Sequence, residues 1–126
     1  MNMNYVTIDT VAAAISRVRV PAMPGEYDLH AMIAAALDEA EIPYEHEYRL
    51  APRCRLDFMC ASVAVEVKKG RPNAQELLRQ LTKYMEKPEV TAMVAVVQKK
   101  VALPETICGK PVRLVALNML WGVALP

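Results

Sequence analysis

Val90–Val97, "VTAMVAVV", is the segment that most limits what this chain can fold into. An apolar run of strand length with no alternation between faces marks a central strand covered on both sides. A chain that builds such a strand must cover both faces of its sheet. At 126 residues, with 54% hydrophobic and 23% charged residues, it has the material for one such domain, and disorder is excluded. No apolar run approaches the roughly 18 to 20 residues needed to cross a bilayer, so no membrane partner is expected.

The remaining segments supply cover and partners. Thr7–Arg19 has helical spacing, with Val11, Ile15 and Val18 on one face, and Pro21 and Pro24 end it. Gly25–Ile42 is a second helix with Leu29, Ile33, Ala36 and Leu37 on one stripe, stopped by Pro43. From Tyr44 the period falls to two. Tyr44, His46, Tyr48 and Leu50 alternate with Glu45, Glu47 and Arg49, which predicts a strand in which Glu47 pairs across to Arg55 or Arg53. After the turn Ala51-Pro52-Arg53, residues Cys54–Ala61 alternate again, placing Leu56, Phe58 and Cys60 opposite Arg55, Asp57 and Met59. Val63–Lys68 is a third strand, with Val63, Val65 and Val67 on one face and Ala64, Glu66 and Lys68 on the other. Gly70-Arg71-Pro72 breaks the chain. Asn73 then reads as an N-cap, and Glu76 occupies the capping-box position of a helix over Ala74–Lys87. Lys110–Asn118 predicts a last strand. The three consecutive strands suit an antiparallel meander, and the helix carries the chain to Val90–Val97 as a parallel neighbour. The expected fold is a single α/β domain over residues 1–126 with a mixed sheet.

Net charge is only +1, but its distribution is uneven. Residues 1–67 carry 5 basic and 10 acidic side chains, whereas residues 68–100 carry 8 basic and 3 acidic. Such a basic middle segment suits either a phosphate-facing surface or an ordinary solvated helix face. The three cysteines, Cys54, Cys60 and Cys108, have no metal-ligand spacing, and the N-terminus lacks a basic start followed by an apolar core. Both features point to reduced thiols in a cytoplasmic protein.

Chemistry concentrates on two of the strands. Asp57 on one, and Glu66 with Lys68 on the next, converge if the strands form a hairpin through Ser62. Two carboxylates suit a hard divalent cation such as Mg²⁺, and an adjacent ammonium can orient a metal-bound water or balance charge on a phosphoryl group. Asp57, eight intervening residues and then Glu66-Val67-Lys68 resembles the PD-(D/E)XK nuclease superfamily. Leu56 stands where many members have proline. The resemblance implies a restriction-endonuclease-like core of helix, three strands, helix and strand over about residues 25–97, with an extra N-terminal helix and a C-terminal strand. It also implies that Asp57 and Glu66 ligate Mg²⁺ or Mn²⁺ and that Lys68 assists the attacking water. In that family an acidic residue or a histidine in the first core helix joins the site. Glu26 and His30 are the two choices here, with Glu26 preferred. Gln80-Leu81-Thr82-Lys83-Tyr84 resembles the QxxxY motif of the RecB-like members, and puts Gln80 and Tyr84 on one helical face.

The expected function is metal-dependent hydrolysis of DNA, directed by structure or strand ends because nothing resembles a base-reading motif. Lys69, Arg71, Arg79 and Lys83 are the expected backbone contacts. So small a chain has little surface for both cleavage and recognition, which points to a homodimer or to a subunit of a larger DNA-processing complex. Two alternatives stay open: a nuclease-like fold serving as a DNA-binding or assembly module without turnover, and a generic α/β domain in which Asp57, Glu66 and Lys68 are surface charges. His46 reads as a residue of the sheet face. The tail from Val112, with Trp121, reads as closing the core or supplying an interface.

Overall fold

The structure, a computed structural model, describes residues 6–20 and 28–117. Three helices, α1 (Ile8–Ile15), α2 (Leu29–Glu39) and α3 (Ala74–Met85), flank a sheet built from β1 (Glu45–Ala51), β2 (Cys54–Cys60), β3 (Val63–Lys68), β4 (Ala92–Val97), β5 (Thr106–Ile107) and β6 (Lys110–Ala116). The strand order is β1-β2-β3-β4-β6-β5. The first three strands form the expected antiparallel meander. The chain then crosses through α3 to β4, which runs parallel to β3 and to β6. The short strand β5, absent from the sequence expectation, closes the far edge antiparallel to β6. Expected features that fall in residues 1–5, 21–27 and 118–126, including Glu26 and Trp121, lie outside the described residues.

Every residue of β4 is buried, and its side chains alternate between two cores. Ala92, Val94 and Val96 join α1 and α2, whereas Met93, Ala95 and Val97 join α3. Fully burying a valine-sized side chain contributes about 1.5 kcal/mol or more, so this strand anchors both layers. Each helix is fixed at its start by a short polar side chain that satisfies an amide with no intrahelical partner. Thr7 accepts from the Thr10 amide at 3.2 Å, Asp28 from the Ala31 amide at 3.1 Å and Asn73 from the Glu76 amide at 3.0 Å. Helix α1 ends four residues earlier than its spacing predicts. Ser16 returns its hydroxyl to the Ala12 carbonyl at 2.8 Å, and the chain tightens into a turn that still buries Val18. At its other end, α3 is capped by Lys110, whose Nζ donates to the carbonyls of Met85 at 2.7 Å and Lys87 at 3.0 Å. A cation there meets the negative end of the helix dipole and ties β6 to the helix.

The alternation expected for β1 and β2 does not hold. Phe58 and Cys60 pack toward α1 and α2, but Leu56 packs toward α3. Tyr44, just before β1, and His46 lie on the Phe58 side while Tyr48 and Leu50 lie with α3. Both strands therefore exchange faces, β1 at Glu47 and β2 at Asp57. The cause lies in the backbone: Glu47 has φ +56° in the middle of its strand, and the ladder pairs His46 with Phe58 and Tyr48 with Leu56, skipping Glu47 and Asp57. Glu47 nonetheless makes the expected cross-strand contact, 3.6 Å from Arg55.

Left-handed backbone in a strand penalises side chains branched at Cβ and is free for glycine. On an ordinary exposed strand valine is favoured over glycine by up to about 1 kcal/mol. At position 47 the order should reverse: Glu47→Gly should match the wild type within about 0.5 kcal/mol, and Glu47→Val should lose about 1–2 kcal/mol. Urea-unfolding midpoints of the two variants read this directly.

Candidate active site

The site forms where β2 parts from its neighbours. The β2–β3 ladder runs from Cys60–Val63 to Phe58–Val65. Beyond that pair, side chains replace the strand-to-strand bonds. The Asp57 amide donates to Glu66 Oε1 at 3.3 Å, and the Val67 amide donates to Asp57 Oδ2 at 2.7 Å. Each carboxylate thus has one oxygen fixed by the backbone of the opposite strand, and the other turned outward.

Those outward oxygens meet the remaining polar groups. Glu66 Oε2 lies 3.6 Å from Lys68 Nζ and 3.5 Å from the Tyr84 hydroxyl. Asp57 Oδ1 lies 3.9 Å from His30 Nε2. Gln80 Nε2 donates to the Tyr84 hydroxyl at 3.1 Å, and the hydroxyl's own proton is shared between Glu66 and the Arg55 carbonyl, 3.3 Å away. The Glu66 side chain is 5% exposed, against 24% for Asp57, 34% for Lys68 and 33% for His30. Glu66 is therefore the floor of a site that opens past the other three. Lys68 ends β3, and the chain beyond it is held at Gly70, which has φ +67°. There the Gly70 amide donates to the Gln98 side chain, and its carbonyl accepts from the Lys99 amide at 3.2 Å.

This arrangement burdens one group above all. Burial, and then repulsion from Asp57, push the Glu66 carboxyl up to about 7, although Lys68 and the Asp57 amide pull it back. The Tyr84 hydroxyl is also raised, by burial and by the negative charge of Glu66. By contrast, Cys60, pushed up to about 12 by burial alone, is an inert core thiol.

Of the residues singled out in the sequence, Asp57, Glu66, Lys68, His30, Tyr84 and Gln80 come together here. Lys69, Arg71, Arg79 and Lys83 are all exposed; Arg79 and Lys83 lie one turn apart on α3, beside the turn that carries Gln80 and Tyr84. Sequence reasoning missed the part played by His46. Its Nε2 lies 2.9 Å from His30 Nδ1, and its ring stacks on Phe58 at 4.7 Å. The signal was faint: a histidine second in its strand, facing a helix start sixteen residues earlier, has no motif.

Among the described residues, no three His, Cys, Asp or Glu side chains form a ready-made metal cage. Two carboxylates with outward oxygens, one of them buried and only partly compensated by Lys68, do fit an ion such as Mg²⁺, which keeps several waters and takes one or two carboxylates. No helix among the described residues is long and apolar enough to cross a membrane. Compared with family models, curated proteins and solved structures, the chain has no significant match.

A raised carboxyl makes stability depend on pH. An unfolded glutamate titrates near about 4.3, so between there and about 7 the folded chain keeps a proton that the unfolded chain has released. Its contribution is complete below the lower value and is lost as pH rises through the window, by about 4 kcal/mol at most. In chelator, the stability of Glu66→Gln relative to wild type should therefore rise from pH 4.5 to pH 7. A difference that stays flat across this range would refute the buried-carboxylate account.

Proposed function

We propose that the chain is a metal-dependent nuclease that hydrolyses DNA phosphodiester bonds. The observation that carries this reading is the convergence of Asp57, Glu66 and Lys68 across an opened ladder, with one oxygen of each carboxylate locked by the backbone. A generic domain with three surface charges would not bury one of them as deeply as Glu66. In the expected chemistry Asp57 and Glu66 hold Mg²⁺ or Mn²⁺, which would polarise a phosphoryl oxygen and lower the pKa of a bound water.

The protein's own groups have separable tasks. The Glu66 carboxylate is fixed from one side by the Asp57 amide, so it presents Oε2 without reorganising. Lys68 Nζ stands beside that oxygen at the rim, where it can orient an attacking water and meet developing charge on the phosphoryl oxygens. Tyr84 braces Glu66 from below, and Gln80 fixes the hydroxyl of Tyr84. Lys69 and Arg71, on the loop leaving β3, and Arg79 and Lys83, on α3, are exposed and would receive the flanking phosphates.

The test is Mg²⁺-dependent cleavage of branched, single-stranded and linear duplex DNA. Asp57→Asn and Lys68→Ala should each lose about 10²-fold or more in rate without loss of folding. Unchanged cleavage by both would overturn the assignment, and tight DNA binding without any cleavage would make the fold a binding module. Arg79→Ala and Lys83→Ala should instead weaken DNA binding uniformly across sequences, each lowering the slope of log K against log salt by about 1.

A further inference from the structure

The side of Asp57 away from Lys68 carries a second cluster. His30, in the first turn of α2, and His46, near the start of β1, bring Nδ1 and Nε2 to 2.9 Å. Both rings rest on Phe58, which has no exposed surface. His46 is stacked on it with centroids 4.7 Å apart, His30 is tilted at 5.5 Å, and Tyr44 meets its edge at 5.6 Å. The face exchange of β2 at Asp57 makes this possible, because it sends Phe58 toward α2 and leaves the carboxylate at the margin of that aromatic floor.

Counting protons shows what the contact does. Two neutral imidazoles carry two protons on four nitrogens, and one proton occupies the shared bond. If His46 donates, His30 Nδ1 accepts, and His30 must carry its own proton on Nε2, facing Asp57 Oδ1. If His30 donates, Nε2 carries a bare lone pair 3.9 Å from Asp57 Oδ1, and His46 carries its proton on Nδ1. The hydrogen bond is satisfied either way. It therefore holds the His30 ring in place while leaving Nε2 free to act as donor or as ligand. With metal–ligand bonds of about 2.1 Å, two ligand atoms on one ion lie about 3 to 4 Å apart, which spans the 3.9 Å between Nε2 and Oδ1.

We propose that His46 is a positioning residue that holds His30 as a nitrogen ligand beside Asp57, so that the site selects Mn²⁺ over Mg²⁺. This rests on the nuclease reading of the site and refines it. An imidazole nitrogen adds little for hard Mg²⁺, which is bound through oxygen and water, and adds affinity for first-row transition ions. The partner of a ligand histidine's second nitrogen fixes its tautomer and orientation, and losing such a partner typically costs about 10–100-fold in metal affinity. That partner is ordinarily a carboxylate, a carbonyl or water; here it is a second histidine, itself anchored by stacking.

The experiment is titration of the full chain with Mn²⁺ and with Mg²⁺ by calorimetry, together with electron-spin-echo spectra of the bound Mn²⁺. The wild type should bind Mn²⁺ at least about tenfold more tightly than Mg²⁺ and show nitrogen coupling from one imidazole. His46→Phe, which keeps the stacking on Phe58 but has no acceptor, should lose about 10–100-fold in Mn²⁺ affinity and hold its Mg²⁺ affinity. Its preference should fall to that of His30→Ala. His46→Gln, whose side chain can accept or donate, should restore most of the loss, a rescue that a purely structural role would not give. Absence of nitrogen coupling in the wild type overturns the proposal whatever the variants do, as does a His46→Phe variant that keeps both the coupling and the affinity. Bound Mn²⁺ with nitrogen coupling but no cleavage of any DNA would sustain this inference and remove the nuclease reading; cleavage without nitrogen coupling would do the reverse.

Discussion

The rest of the site depends on the exchange of hydrogen bonds between Asp57 and the strand opposite. A ladder that opens inside a sheet leaves amides without partners, and each buried, unsatisfied amide costs about 1–3 kcal/mol. Asp57 and Glu66 remove that cost by accepting from each other's strands. They also set a new one, since two carboxylates now stand close together, one of them buried. Lys68 offsets part of it, and the raised proton affinity of Glu66 measures what is left. The geometry is stiff because its fixed points are main-chain amides, and a stiff pair of carboxylates is what a cation with demanding geometry needs.

The same opening explains the path of the two outer strands. With β2 released from β3 at Asp57 and β1 taking a left-handed step at Glu47, the pleat changes phase in both strands together. Leu56 turns under α3 and Phe58 under α2, so each layer gains a large apolar side chain from one short strand. A bulge-like irregularity that re-aims a side chain beside a functional cleft is a recurrent use of such defects. Here it gives Asp57 two environments at once, with Glu66 on one side and His30 on the other.

The parts of this arrangement that were legible in the sequence are those in which one residue type has one physical meaning. The uninterrupted apolar run of β4, the Asn73 cap and the Val63–Lys68 strand fall where their patterns put them. The phase change was hidden because Leu56, Phe58 and Cys60 are all apolar and both faces of the sheet are covered, so the pattern suits either assignment. Nothing about a glutamate announces φ +56°. The contact between His30 and His46 spans a helix and a turn, and its signal is purely tertiary. The two-residue strand β5 is too short to carry any period at all.

A structural role alone is a poor explanation of Asp57, Glu66 and Lys68. A buried ion pair is commonly matched or bettered in stability by apolar residues of similar volume, and the Glu66 position lies against the aliphatic core that packs on α3, beside Ala64 and Ala95. One acid and one lysine would already balance. A second carboxylate within reach adds repulsion that stability alone does not call for, and it raises the proton affinity of Glu66 toward neutrality. Groups shifted in this way by burial and by a like charge are concentrated at sites that bind or react. A divalent cation would offset the burial of Glu66 and its repulsion from Asp57 in one step, which the single charge of Lys68 does only in part.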